Sequence, residues 1–377
     1  MNHSSVIRVL HIADKFGVSG SSVHGVTRLF AWWMPRFNPA RCCAKLVGLR
    51  PPDAACATLE QTGIEVISLG KGKFDVSTVP AIVNLIRKER AQIVHLHGYG
   101  AANFGRVAAR IAGVKAVVHE HFVDPAMPVY QGPCDYLLRW WADRGIAVSG
   151  SVKEFMVQKR HLPENRVEVV FNGAPLREFA PLPAPAVAAE RQKWGLRDDD
   201  LVVGSIGRLD EQKGNCYLLQ AVASIRARWP RLKVLIVGDG PYLESLKTQS
   251  RDLGIASDVI FTGFQSQIPV LQSLLRIQVF PSLWEGTPLT MFEAMAMRRT
   301  IVSTNVDGLG EVLRDNHDAR LVPSRDTGRL ANAIEDLLAH PETAARMAVE
   351  AGISSQRFDI QRTVDRMQEI YEEILHP

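Results

Sequence analysis

Long apolar runs are missing from this chain: no stretch of about eighteen uncharged apolar residues occurs in its 377 positions, so the sequence predicts no transmembrane helix. Cysteine is scarce too. Cys42, Cys43, Cys56, Cys134 and Cys216 are odd in number, scattered and without CxxC spacing, which argues against a disulfide framework and a cysteine zinc site. The start, MNHSSVIRVLHIADKFG, lacks a basic segment followed by a cleavable apolar one, and a cytoplasmic chain is expected. No dense Lys/Arg cluster or RNA-binding signature is present, so nucleic acid is not an expected partner.

What the chain does have is alternation. Short β-branched runs recur between amphipathic segments: VIRVLHIA (6–13), AKLVGL (44–49), EVISL (65–69), QIVHLHG (92–98), KAVVHEH (115–121), RGIAVS (144–149) and VEVVFNG (167–173). The second half repeats the scheme with LVVGSIGRL (201–209), LKVLIVGDG (232–240), DVIFTGF (258–264), IQVFPSL (277–283), TIVSTNVDG (300–308) and ARLVP (319–323). Parallel strands joined by helices read this way, so the expected class is α/β, with two Rossmann-like, doubly wound domains facing a central cleft. The Pro- and Ala-rich stretch APLPAPAVAAE (180–190) is the expected linker. It divides an N-terminal domain, 1–180, from a C-terminal one, 181–356, followed by a terminal helical segment, 357–377. Charge is unequal between the halves: residues 1–180 hold 22 Lys and Arg against 14 Asp and Glu, and residues 181–377 hold 22 against 26. A basic half suits a phosphate-bearing ligand or a membrane, or serves solubility alone.

Ligands of open α/β sheets bind beyond the carboxyl ends of the strands, which selects the loops to inspect. After the first strand, Gly17 and Gly20 would let the backbone approach a ligand ahead of a helix N-terminus, although their spacing is not the dinucleotide GxGxxG. In GRLDEQKG (207–214), Arg208 and Lys213 can converge on one diphosphate, with a solvated surface pair as the alternative. In SLWEGTPLTMFEA (282–294), Glu285 and Glu293 would lie roughly 80° apart on a straight helix, too far round to share a face. Pro288 favours a helix starting near Thr287 or Pro288, which leaves Glu285 in the loop and Glu293 inside the helix. The first-turn amides of Leu289 and Thr290 would then face a phosphate. An exposed loop charge and an internal salt-bridge partner are the plainer readings of the two glutamates.

The run VFPSLWEGTPLTMFEAMAM resembles the signature of the retaining glycosyltransferase family 4, which has the GT-B fold and an E-x7-E motif. GRLDEQKG, VGDGP, VVFNGAPLREFAP, IAVSGSVKEFM and NVDGLGEVL resemble further segments of that family, covering the chain from about Gly17 to Glu311. The resemblance implies that Arg208 and Lys213 hold a nucleotide diphosphate and that Glu293 binds the ribose hydroxyls. It places Glu285 on the transferred sugar near the reacting carbon, and His121 opposite that sugar. Gly17 and Gly20 match the loop that approaches the diphosphate and acceptor, though the family's adjacent Gly-Gly is absent. Met297-Arg298-Arg299-Thr300 replaces a Gly-Lys-Pro type turn, and Gln278 stands where Asp is common.

The implied reaction moves a hexose or N-acetylhexosamine from a UDP sugar, with GDP-mannose as the other candidate, to a lipid-linked or oligosaccharide acceptor. It would proceed with retention by front-face attack, without a metal or resident cofactor, in bacterial cell-surface polysaccharide assembly. Peripheral contact with the inner face of the cytoplasmic membrane, through the basic N-terminal domain, is also implied. An epimerase or phosphorylase of the same fold and a non-catalytic nucleotide-sugar-binding protein are the alternatives.

Other features invite separate readings. HLH (95–97) and HEH (119–121) put histidine pairs on one face of a strand, a spacing that can chelate a metal. Trp32-Trp33 and Trp140-Trp141, beside arginines on expected helices, suit either core packing or a membrane interface. Prolines mark FVDPAMPVYQGPCDY (122–136) as a loop, the candidate acceptor side. Ile360, Val364, Met367, Ile370, Tyr371 and Ile374 are spaced as one helix face, and the resemblance implies that this helix returns to the N-terminal domain.

Overall fold

The computed structural model describes residues 6–17 and 25–376, and each of the thirteen apolar runs coincides with a strand, the second of which starts two residues before its run. The chain divides into two compact units, Met1–Gly173 with Ile360–Pro377, and Ala174–Asp359. The divisions expected from the sequence fall after residues 180 and 356 instead. Ala174 belongs with the second unit because its N–H donates to the Phe358 carbonyl at 3.1 Å and it bridges to Asp359.

In the first unit, β1 (Ile7–Ala13), β2 (Cys42–Gly48), β3 (Val66–Ser68), β4 (Ile93–His97), β5 (Lys115–Glu120), β6 (Arg144–Ala147) and β7 (Val167–Val169) form one sheet. Its order is β3-β2-β1-β4-β5-β6-β7, with every pairing parallel. In the second unit, β8 (Leu201–Ile206), β9 (Leu232–Val237), β10 (Val259–Gly263), β11 (Ile277–Phe280), β12 (Thr300–Thr304) and β13 (Arg320–Val322) run β10-β9-β8-β11-β12-β13, again parallel. Strand order reverses between β1 and β4 and between β8 and β11, the two places where such sheets take ligands.

The strands are apolar along most of their length because helices cover both faces. On one face of the first sheet, Leu10, Ile12, Val94, Leu96, Ala116 and Val118 pack against Ile82, Val83 and Ile86 of the helix Thr78–Glu89. The opposite face carries His11, His95, His97 and His119, all buried. Phe30 and Trp33 of the helix Gly25–Trp33 and Tyr371 of the helix Ile360–Leu375 lie against those rings. Met367, Ile370, Tyr371 and Ile374 are buried, each stabilising the first unit by about 1.5–3 kcal/mol. Arg41 forks onto Glu372 at 2.8 and 2.9 Å, which fixes the angle of the terminal helix more than it stabilises it.

Three local expectations need correction. The stretch 180–190 is not an open linker, since a helix spans Ala184–Lys193 and its Val187 packs on the apolar cluster of Leu235 and Leu271. Alanine favours the helix, and Pro183 and Pro185 sit at its start, where a missing N–H costs nothing. The segment 122–136 is not all loop: the helix Gln131–Leu138 accepts Pro133 in its first turn for the same reason. Pro288 is the cap rather than the first helical residue, with ψ 130°, and the helix runs Leu289–Ala296.

Candidate functional site

Because β8 and β11 are neighbours, the loops that follow them meet. The Leu283 N–H donates to the Gln212 carbonyl at 2.8 Å. Gly214, at φ +58°, lies so close to the second loop that a Cβ there would sit 2.1 Å from the Pro281 oxygen. A side chain at this position would therefore be strained and would also push the loops apart. Within the first loop, the Asp210 carboxylate accepts from the Lys213 N–H at 3.4 Å and pairs with Arg208 Nε at 3.3 Å. One acidic residue thus holds the backbone of Lys213 and the guanidinium of Arg208.

The Lys213 ammonium donates to the Glu285 carboxylate. Gln212 Nε2 reaches Glu285 Oε1 at 3.1 Å and Ser282 Oγ reaches its Oε2 at 3.3 Å, so three donors hold a carboxylate that is 7% exposed. The Glu285 N–H in turn donates to Asp307 Oδ2 at 2.9 Å, at the start of the helix Asp307–Val312 that follows β12. Burial raises the pKa of Asp307. Glycine is required next to it, because a Cβ on Gly308 would lie 1.9 Å from the Gly286 oxygen.

Glu293 lies on the helix Leu289–Ala296 with its side chain fully buried. Pro288 supplies no side-chain oxygen to cap the first turn, where Leu289 and Thr290 sit. Gln278, in the position where Asp was expected, donates with Gln272 to the Thr290 carbonyl at 3.5 and 3.3 Å. It braces the start of the helix.

In the first unit the Gly17 N–H donates to Asp53 Oδ2 at 2.7 Å, and Asp53 also caps the helix Ala54–Gln61 through the Ala55 and Cys56 amides. The Gly17 amide that sequence reading aimed at a diphosphate is therefore engaged by Asp53 here. Gly20 lies outside the described residues. His121 follows β5: its Nε2 pairs with His97 Nδ1 at 3.0 Å, its N–H donates to Glu120 Oε1 at 3.2 Å, and its ring stacks on His119 with centroids 4.4 Å apart. Behind it, Arg160 bridges Glu120 at 2.5 Å and Asp135 at 2.9 Å, and Arg106 completes the buried cluster through Asp135. Burial opposes the Arg160 charge, yet Glu120 and Asp135 together raise its pKa. Burial raises the Glu120 carboxyl, whereas at Asp135 burial is outweighed by Arg160, Arg106 and Gln131 together, which lower it.

The histidine pairs do share a face. His11, His95 and His97 form one set of ring nitrogens within 4.8 Å of one another, and His97, His119 and His121 form another. Each hydrogen-bonded ring nitrogen of these sets faces a single partner. Of the tryptophans, Trp32 and Trp33 are buried, while Trp140 and Trp141 are exposed, at 59% and 39%. Arg139 stacks on Tyr136 and Trp140, Phe74 meets Tyr130 edge-on, and Leu137 and Val129 protrude. Among the described residues no helix is long and apolar enough to cross a membrane.

Sequence reasoning placed Arg208, Lys213 and Glu285 in the loops that meet, but it missed Asp210, Gln212, Ser282 and Asp307, which fix them. Asp210 and Gln212 stood inside GRLDEQKG, and Asp307 inside the Gly-rich turn NVDGLGEVL. Strand order, which no local pattern encodes, is the signal that links them.

Residues 187–352 match the family model for glycosyl transferases group 1, and residues 45–178 match that for glycosyltransferase family 4. The alpha-D-kanosaminyltransferase of Streptomyces kanamyceticus is 30% identical over 307 residues, 77% of this chain and 79% of that one. The Escherichia coli enzyme named as a UDP-Gal:alpha-D-GlcNAc-diphosphoundecaprenol alpha-1,3-galactosyltransferase is 26% identical over 312 residues, 79% of each chain. Among solved structures, Anabaena HepE in complex with UDP superposes with a TM-score of 0.83 at 21% identity, covering 97% of this chain and 100% of that one, a likeness of fold.

Proposed function

The chain belongs to glycosyltransferase family 4, and from that premise we propose that it transfers a hexose or N-acetylhexosamine from a UDP sugar to a lipid-linked saccharide, with retention and without a metal. The observation that carries this reading is the Lys213–Glu285 pair, set at the strand-order reversal between β8 and β11 and braced by Asp210 and Asp307. Lys213 and Arg208 would take the donor diphosphate together with the Leu289 and Thr290 amides, supplying the positive field that a metal supplies elsewhere. Glu285 would then exchange its ammonium partner for the hydroxyls of the transferred sugar, and Glu293 would accept from the ribose. Front-face attack follows: the acceptor hydroxyl approaches from the side the nucleotide leaves, and a donor phosphate oxygen takes its proton.

The name of the E. coli relative supports a UDP sugar and a diphospholipid acceptor. HepE has been solved with UDP-glucose, which points the same way. The exposed Leu137 and Trp140, with Arg139 and Arg166 over the Trp140 ring, suit an anionic membrane face where such an acceptor lies. A thermal-shift panel of UDP, GDP, ADP and TDP sugars tests the donor. At a hundredfold excess over Kd the right nucleotide adds about 2.7 kcal/mol of stability, and no shift with any of the four would remove the reading.

A further inference from the structure

The turn that carries Glu285 is fastened to the end of β12. Thr304 Oγ1 lies 3.2 and 2.7 Å from the carbonyl oxygens of Phe280 and Ser282, and the Glu285 N–H donates to Asp307 Oδ2 at 2.9 Å. Gly308 comes so near the Gly286 oxygen that a Cβ would lie 1.9 Å from it. The register of β11 on β12 brings the two strand ends level. Position 308 admits no side chain, so the neighbouring residue 307 is left to present one to this turn.

Asp307 stands there against the preferences of its own backbone and charge. Its φ is +37°, in the region that favours glycine, and strain of that kind gathers where a side chain is held for function. Burial raises its pKa and Glu311 adds to the rise, with the Glu285 N–H opposing both, and among the described residues no cation pairs with it. Only one of its oxygens is used: Oδ1 accepts from no described residue and is open to solvent. Glu285 is the opposite case, because Gln212 engages its Oε1 while Lys213 and Ser282 engage its Oε2. An ionised carboxylate accepts hydrogen bonds and cannot donate them. The carboxylate oxygen left open at this turn is therefore Asp307 Oδ1.

We propose that Asp307 is a specificity-determining residue, whose Oδ1 accepts a hydrogen bond from a hydroxyl or amine of the transferred sugar beside the hydroxyls that Glu285 holds. The proposal rests on the glycosyltransferase reading for the place of the sugar, and it adds a substituent that the donor must carry. Both carboxylates belong to the second unit. A sugar that is deoxygenated or fluorinated at that carbon has no hydrogen to give, leaves Oδ1 desolvated and unpaired in the complex, and is rejected. A protonated amine supplies the counter-charge that Asp307 lacks and is favoured.

Isothermal titration calorimetry of the full chain tests this with the nucleotide sugar that gives the thermal shift and with its deoxy, fluoro and amino analogues at C3, C4 and C6 of the sugar. The quantity read is the ratio of Kd for the nucleoside diphosphate to Kd for each nucleotide sugar. At one of these carbons the deoxy and fluoro analogues should lower that ratio roughly tenfold in the parent chain, the worth of about one hydrogen bond, while the amine holds or raises it. Asp307→Asn keeps a carbonyl oxygen for the Glu285 N–H, tolerates positive φ and turns the other group into a donor. In that chain the fluorine penalty at the same carbon should shrink to within about twofold, and the preference for the amine should vanish. Asp307→Gly, whose backbone suits φ +37°, should respond alike to hydroxyl, fluorine and amine there, and it decides where the Asn chain does not fold. A pattern of ratios that neither substitution changes would overturn the proposal. So would an equal fall at every carbon, the mark of a residue that only braces the Glu285 turn. Binding of the nucleoside diphosphate by itself reports on the glycosyltransferase reading, so the two fail separately.

Discussion

Lowering the pH from 7.0 to 5.5 should cost the first unit much of its stability. Burial pushes His11 down to about 3 and holds His95, His97 and His119 well below the ordinary histidine value, and for the last three neighbouring histidines add to the effect. In the unfolded chain the same rings titrate near 6.5. Between the folded and unfolded values each ring takes up a proton only on unfolding, so stability falls as the pH falls. The loss opens near pH 6.5 and deepens on the way down to about 3. One pH unit below 6.5 each ring costs about 1.4 kcal/mol, so four rings cost about 5 kcal/mol more at pH 5.5 than at pH 7.0. A domain's whole stability is about 5–15 kcal/mol, and the loss corresponds to a fall in Tm on the order of 10–20 °C. Urea unfolding of the full chain at both pH values measures it by circular dichroism and by tryptophan fluorescence, since the Trp33 ring stacks on His119 at 5.4 Å. Equal unfolding free energies at pH 7.0 and 5.5 would refute the reasoning, because they would require folded rings that accept protons as readily as unfolded ones.

Other substitutions separate the parts of the account. Glu293→Ala should weaken nucleotide-sugar affinity about tenfold or more with kcat little changed, whereas Glu285→Ala should lower kcat by about 10²–10³, both read from initial rates over a donor series. Gly214→Ala combines φ +58° with a 2.1 Å approach to the Pro281 oxygen, so it should cost about 1–3 kcal/mol in urea unfolding and weaken nucleotide binding together. Arg160→Met leaves Glu120 and Asp135 buried without their shared cation and should destabilise the chain by about 3–5 kcal/mol, measured by thermal unfolding. Leu137→Asp with Trp140→Ser should reduce cosedimentation with phosphatidylglycerol-rich vesicles and leave nucleotide binding intact.

The strands were legible because helices cover both sheet faces, so each strand shows as an apolar run that turn residues bound. The division of SLWEGTPLTMFEA was legible as well, since Pro288 marks the helix start within one residue. What escaped was whatever depends on strand order. His11 is one polar residue inside VIRVLHIA, and Tyr371 passes for an apolar position on the terminal helix. Their link at 3.1 Å spans 360 positions of sequence. Asp307 escaped in the same way, because its bond to the Glu285 amide exists only once β12 lies beside β11. The 180–190 stretch misled for a local reason: prolines that usually break a helix stand here in its first turn.

The central claim is retaining, metal-independent transfer from a UDP sugar, and the product's anomeric configuration tests it most directly. The chain would be incubated with UDP-hexose or UDP-N-acetylhexosamine and a diphospholipid-linked saccharide, with and without EDTA, and the new linkage read by proton NMR coupling constants. The account predicts UDP release with an α linkage from an α donor, at the same rate in EDTA. A β linkage, or activity lost on chelation and restored by added metal, would contradict it.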